Sequence, residues 1–373
     1  MIYNNFRDIK LSALGMGNMR LPVIDGDQKN IDYELGQKMI DRCMAAGINY
    51  YDTAYIYHGG LSEEFVGRTL VDKYPRDSFY VATKFNLGAN PDYKAQLEEQ
   101  LTRLHTDHID FYLLHGIGDQ TLDGYMTCGC LEYFREMKKE GKIVNLGFSF
   151  HGKPEFLRKA IELFPDTDFI QLQLNYYDWY HGTAEEQYNI CAEKGIPVMV
   201  MEPVHGGLLQ NLSDEAAADL KKINPDVSLA SFALRFVAEL PQVAVTLSGM
   251  SNFEQVEDNI RTFENLSPLS DKEKKAVIKA ADITYSAVGA PCTGCRYCVD
   301  HCPMELDIPA LLVMYNEYKV GGAWRLSRLN KEPSMTPASC ISCGACTASC
   351  PQSLEVYNYM TEMSAELEKM KNH

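Results

Sequence analysis

Short apolar runs rich in β-branched and aromatic residues alternate with longer stretches of helical period along residues 1–281. The runs are SALGMG (12–17), INYYDTA (48–54), FYVATKF (79–85), IDFYLLH (109–115), VNLGFSF (144–150), FIQLQLN (169–175), PVMVMEP (197–203) and VAVTLSGM (243–250). Each reads as a strand. Between and after them the spacing predicts helices over 34–46, 63–73, 93–105, 130–140, 154–163, 184–194, 228–239 and 253–261. Eight β-then-α units match a (β/α)8 TIM barrel in count and size. A doubly wound open sheet would carry a glycine-rich turn after its first strand, and LGMGNMRLP (14–22) is too poor in glycine for that fingerprint.

The pattern changes near residue 282. Ser270 followed by Glu273 is a capping-box start for a helix, and SAVGAP (286–291) breaks it. The expected domains are therefore 1–281, the barrel, and 282–373, a smaller α+β module. Within the module, Ile308, Leu311, Leu312 and Tyr315 fall on one face of an amphipathic helix. The tail TEMSAELEKMKNH (361–373) reads as a solvated helix with a frayed end.

Composition narrows the function classes. The 373 residues are 46% hydrophobic, enough for a sizeable core, and the formal net charge is −16. That balance speaks against a nucleic-acid or anionic-membrane surface. No apolar run approaches the ~18–20 residues of a membrane helix. The first residues do not read as a signal peptide, so a cytoplasmic protein is expected. Of 12 cysteines, eight fall in two tight groups. In a cytosolic chain such groups point to metal rather than disulfides.

The first group is Cys292-x2-Cys295-x2-Cys298-x3-Cys302-Pro303, and the second, Cys340-x2-Cys343-x2-Cys346-x3-Cys350-Pro351, repeats the spacing. Three thiols three residues apart wrap a loop around three corners of an iron–sulfur cube, and the fourth points to a second cube. Two [4Fe–4S] clusters are expected, one on Cys292, Cys295, Cys298 and Cys350, the other on Cys340, Cys343, Cys346 and Cys302. Structural zinc sites instead pair two short elements across a longer loop. Residues 288–360 resemble bacterial two-cluster ferredoxins, with departures in a long insert (304–339) and in Arg296, Tyr297 and His301 inside the first motif.

In barrels of this kind, polar residues at the C-terminal strand ends are the catalytic candidates. Here they are Asp52, Lys84, His115, Ser149, Gln171 and Glu202, with Tyr57 in the loop after Asp52. A tyrosine titrating near ~10 donates a proton poorly unless its anion is stabilised. The Lys84 ammonium would do that, Asp52 would hold Lys84 charged, and His115 would bond a substrate oxygen. DTAYIYHGGLSEEFVGRTL, VATK and FYLLHG resemble the aldo/keto reductase family over residues 7–262. The resemblance implies reduction of a small carbonyl substrate by NAD(P)H, with a catalytic tetrad of Asp52, Tyr57, Lys84 and His115. It also implies that Ser149 and Gln171 hold the nicotinamide carboxamide. Met201 stands where the family stacks an aromatic, and Phe150 where it has an asparagine. Gly206 and Gly207 fall at the pyrophosphate. Gly249, Ser251, Gln255, Asp258 and Asn259 fall on the adenosine side. Gln255 replaces the arginine used for the NADP 2′-phosphate, and an amide is a weaker phosphate partner, so NAD and NADP both remain open.

The whole chain resembles the subgroup of that family with a C-terminal ferredoxin-type module. Nicotinamide passes electrons in pairs and [4Fe–4S] clusters pass them singly, so a flavin or a partner is expected between them. No flavin motif is present. Three readings follow: clusters that are structural, clusters that exchange electrons with a ferredoxin or flavoprotein while the barrel does other reductive chemistry, and an electron-transfer or interaction protein with the barrel as platform. Among the remaining polar residues, Arg20 reads as an anion clamp or a surface ion pair, and His58 as a pocket or loop residue. Cys128 and Cys130 read as helix-start or buried small residues, and Cys43 and Cys191 as core.

Overall fold

The computed structural model describes all residues except 119–120, 288, 291, 293–297, 300, 330–332, 351–353 and 372–373, and the side chains of 320, 324 and 328. An antiparallel hairpin opens the chain, β1 (Tyr3–Phe6) and β2 (Ile9–Ser12). Eight strands then close a parallel barrel. They are β3 (Leu14–Gly17), β4 (Tyr50–Asp52), β5 (Tyr80–Phe85), β6 (Ile109–Ile117), β7 (Ile143–Phe150), β8 (Ile170–Gln173), β9 (Val198–Met201) and β10 (Val243–Ser248). Each overlaps one of the eight predicted runs, β6 going two residues past its run and β7 starting one before it, and β10 seals the cylinder by pairing with both β9 and β3. All eight predicted helices are present as well.

Side chains alternate across a strand, so every second residue faces the barrel interior. Tyr50, Ala82, Phe111, Leu113, Phe169, Met199, Val245 and Leu247 pack there, with Phe6 and Leu11 of the hairpin in the same cluster. Phe111 sits at its centre, with ring centroids 4.9 Å from Tyr50, 5.2 Å from Phe6 and 5.3 Å from Phe169. The same alternation places the site. Two residues beyond Tyr50, Ala82, Leu113 and Phe169 stand Asp52, Lys84, His115 and Gln171. The pattern that fills the barrel with hydrocarbon thus presents a polar layer at its C-terminal end.

Two differences from the expected elements have local causes. The hairpin was not foreseen because its turn uses Arg7 at φ 52, where the eye looks for glycine or asparagine. The stretch expected as one helix over 63–73 is an α-helix, Leu61–Val66, that widens into a π turn over Gly67–Val71. A Cβ on Gly67 would sit 2.5 Å from the Arg103 carbonyl oxygen, so glycine lets this turn lie against the neighbouring backbone.

The chain divides into two compact units, Met1–Gln210 with Leu220–Ile278, and Asn211–Asp219 with Lys279–His373. The helix Asp271–Ser286 opens with the expected capping box: Glu273 N–H donates to Ser270 Oγ at 3.3 Å and Ser270 N–H to Glu273 Oε2 at 2.7 Å. The second unit has its own apolar cluster. Ile308, Leu311, Leu312 and Tyr315 of the helix Ile308–Gly321 are buried in it, as their spacing predicted. The tail helix, Val356–Lys371, is amphipathic rather than solvated all round, since Met360, Met363 and Leu367 are buried in the same cluster. Its expected frayed end, residues 372–373, lies outside the described residues. Among the described residues this unit is helical, with no strand. No described helix is long and apolar enough to cross a membrane.

Candidate active site and cysteine pocket

Asp52, Tyr57, Lys84 and His115 come together at the C-terminal end of the barrel. Lys84 Nζ donates to Asp52 Oδ1 at 2.7 Å, to Asp52 Oδ2 at 2.8 Å and to the Thr53 carbonyl at 2.6 Å. The same ammonium lies 5.0 Å from the Tyr57 ring centroid, and the Tyr57 and His115 rings meet edge to face at 5.9 Å. Burial favours the neutral Lys84 amine, but the Asp52 carboxylate outweighs it and holds the group protonated. Burial also raises the Tyr57 phenol. Lys84 pulls it down as expected, yet does not cancel the burial, and Asp52 pushes the same way as burial. Tyr57 therefore carries its proton in this state.

His115 is held in one tautomer. Ala89 N–H donates to Asn86 Oδ1 at 2.9 Å, which turns the Asn86 amide nitrogen toward His115 Nδ1, 3.4 Å away. Nδ1 then accepts, and the ring proton sits on Nε2. Burial first, then the Lys84 and His151 charges, bring the His115 pKa down to about 3, so the ring is neutral near pH 7 and a hydrogen-bond donor. A buried network braces the Lys84 strand from behind. Gln100 Nε2 donates to the Lys84 carbonyl at 3.0 Å and to Glu63 Oε1 at 2.7 Å, and Thr83 Oγ1 donates to Glu63 Oε1 at 2.6 Å.

The nucleotide candidates line adjacent strands. Ser149 and Gln171 are register partners on β7 and β8, both buried. Ser149 Oγ accepts from Gly116 N–H at 2.8 Å, which leaves its own proton to give. Gln171 Oε1 is buried with no hydrogen-bond partner among the described residues, an open acceptor of the kind an amide N–H₂ would satisfy. Phe150 is buried, and Met201 ends β9 beside Gln173. Gly206 and Gly207 are left-handed (φ 62 and 97) within the turn His205–Gln210. Gly249 lies against the Arg20 side chain, which a Cβ would meet at 3.4 Å, and Ser251 Oγ donates to the Arg20 carbonyl at 2.9 Å. Gln255 Oε1 accepts from Ser251 N–H at 2.8 Å and folds that loop. Asp258 and Asn259 turn to other partners, Ser228 Oγ at 2.6 Å and Ser248 Oγ at 2.8 Å. His58 serves its loop, with Nε2 accepting from Leu21 N–H at 3.2 Å and Nδ1 facing the Gln28 carbonyl at 2.8 Å.

Asn18 and Asn86 escaped the sequence reading. Asn18 Nδ2 donates to the Asp52 carbonyl at 2.9 Å, and its buried Oδ1 has no partner among the described residues. Each follows the last residue of a barrel strand by one position, β3 and β5, so strand-end position was the signal that could have found them.

In the second unit Cys302, Cys340, Cys343 and Cys346 line one pocket, walled by Leu306, Ile308, Val356 and Met360. This brings the last thiol of the first motif to the first three of the second. No three His, Cys, Asp or Glu side chains among the described residues close on a point as a lone metal ion requires. Four cysteine thiols lining one pocket are the donor set that a [4Fe–4S] cube takes. Cys292, Cys298 and Cys350 pack against the same apolar cluster, and Cys295 lies outside the described residues.

Two family models match. One, the aldo/keto reductase family, covers residues 13–282, and the other, a 4Fe-4S dicluster domain, covers 291–354. An uncharacterized oxidoreductase, YqkF, of Bacillus subtilis is 29% identical over 72% of this chain and 92% of that protein. The NADH-specific methylglyoxal reductase of Escherichia coli is 30% identical over 54% of this chain and 66% of that protein. The solved holo form of the aldo-keto reductase AKR11C1 from Bacillus halodurans superposes with a TM-score of 0.61, at 28% identity, over 75% of this chain and 96% of that one.

Proposed function

From the premise that this chain belongs to the aldo/keto reductase family and carries a C-terminal 4Fe–4S dicluster domain, we propose that it reduces a small aldehyde or ketone with NADH or NADPH. One observation carries the reading: a protonated Lys84, clasped by Asp52, stands under Tyr57 with a neutral His115 edge-on beside it. A bound nicotinamide supplies the hydride. The chain supplies the rest. His115 Nε2–H bonds the carbonyl oxygen and fixes its position. Tyr57 gives that oxygen its proton, and Lys84 stabilises the phenolate left behind. With the nucleotide bound, Gln171 Oε1 and the Ser149 hydroxyl would hold the carboxamide and so orient the nicotinamide.

We assign Cys340, Cys343, Cys346 and Cys302 to one [4Fe–4S] cluster and Cys292, Cys295, Cys298 and Cys350 to the other. When bound, these clusters pass single electrons. A second reading makes them a relay to a ferredoxin or flavoprotein. It is favoured by the exposure of Cys343 and of Ile341 and Met304 on the rim of the cysteine pocket.

Tyr57→Phe tests the main reading. It should lower carbonyl reduction by roughly 10²–10⁴-fold, the usual worth of a proton donor, while leaving nucleotide affinity intact. Unchanged turnover in that variant would remove Tyr57 as the acid and the reading with it.

A further inference from the structure

Cys128 and Cys130 flank a single glycine, and the chemistry above leaves both unused. The helix Leu122–Thr127 ends at Cys128 (φ −74), Gly129 turns left-handed (φ 82), and Cys130 starts the helix Cys130–Lys139. This right-then-left turn aims both side chains the same way. Cys128 Sγ and Cys130 Sγ each lie 3.5 Å from one acceptor, the Tyr125 carbonyl oxygen. Cys130 is fully buried, whereas Cys128 is partly open.

The other end of Tyr125 reaches the candidate active site. Its phenol donates to the His115 carbonyl at 2.7 Å and accepts from Leu87 N–H at 3.2 Å. Its ring packs edge-on against Phe85, centroids 5.8 Å apart. One residue therefore ties the thiol pair to the ends of β5 and β6, which carry Lys84 and His115.

We propose that Cys128 and Cys130 form a reversible disulfide that loosens the Tyr125 tie to His115 and slows the site, the effect on turnover resting on the carbonyl-reductase reading. The oxidant is a small disulfide such as oxidised glutathione. The Cys128 thiolate attacks one of its sulfurs, the S–S bond breaks, and the first small thiol leaves. The Cys130 thiol then attacks Cys128 Sγ, and its proton passes to the departing sulfur, which leaves as the second small thiol. Two protein thiols are oxidised and one small disulfide is reduced. Both S–H donors to the Tyr125 carbonyl disappear. A bridge across one residue closes a small, strained ring, and strained disulfides are readily reduced, which suits a switch better than a staple.

The test uses the full chain with its clusters loaded, under anaerobic conditions, treated with oxidised glutathione. Expected are a loss of two hydrogens from the peptide holding Cys128 and Cys130, protection of both from iodoacetamide, and unchanged cluster absorbance. Hydrogen exchange in residues 113–118 should rise, and carbonyl reduction should fall roughly tenfold, as displaced positioning contacts do. Dithiothreitol should reverse all of it, and Cys128→Ser should show none. A stable glutathione adduct on Cys128, no reaction, or a disulfide with unaltered exchange would overturn the switch. A chain that reduces no carbonyl would fail the functional reading alone, since disulfide mapping and exchange still decide this one.

Discussion

Lys84 and Asp52 are both almost wholly buried, so each depends on the other for its charge. Replacing one strands its partner. Lys84→Met leaves a carboxylate at the barrel mouth without its cation, and the expected loss is about 3–5 kcal/mol. Adding Asp52→Asn to that variant should return much of it, because two neutral groups strand nothing. Chemical denaturation of the two single variants and the double checks this, and simple additivity would argue against a coupled pair. His115 sets a pH dependence of known sign. Its pKa is about 3 in the fold against 6.5 for an ordinary histidine. Between those values the unfolded chain binds the extra proton, so stability falls as pH drops from 6.5 toward 3, by at most about 1.4 kcal/mol per unit. His115→Asn should flatten that part of the stability–pH profile. An unchanged slope would mean that His115 is protonated in the fold.

The barrel strands were legible because their signal is strong and local: a few apolar residues, an alternation, a polar residue at the end. The same alternation made Asp52, Lys84, His115 and Gln171 legible as inward-facing candidates. What the pattern could not convey was pairing across the chain. Asn18 acts on Asp52, 34 residues away, and Asn86 on His115, 29 residues away, through contacts that close only when neighbouring strands align. The widened turn at Gly67–Val71 was hidden for a similar reason, since its cause is the backbone at Arg103 and not anything in its own sequence. That cause is testable. Gly67→Ala puts a methyl 2.5 Å from the Arg103 carbonyl oxygen and 3.1 Å from the Leu104 carbonyl carbon, both backbone atoms that cannot swing aside. A loss of about 1–3 kcal/mol is expected, as for overpacking, although alanine is the better helix former. A neutral or stabilising substitution, measured by thermal or denaturant unfolding, would show that the two segments can separate at little cost.

On the scale of the whole molecule, the cysteine spacing makes a claim about connectivity that neither motif makes alone. Cys302 closes the first motif in sequence, yet it shares its pocket with Cys340, Cys343 and Cys346 of the second. Each cluster would then be held by both motifs, and the 37 residues of chain between Cys302 and Cys340, with their buried helix, would be closed into a loop by the cluster itself. Metal binding of that kind stabilises the segment it closes. Iron content after anaerobic purification distinguishes crossed from local ligation. If the sets cross, Cys302→Ala and Cys343→Ala remove the same cluster, roughly four irons, and combining them removes no more. Combining Cys302→Ala with Cys292→Ala removes both clusters. Local ligation inverts the outcome: Cys302 with Cys292 would cost one cluster and Cys302 with Cys343 two. The same four samples also locate the clusters energetically. Crossed ligation predicts that loss of the Cys302 cluster speeds hydrogen exchange in both helices walling its pocket, Ile308–Gly321 and Val356–Lys371, because Ile308, Val356 and Met360 lose the body they pack around.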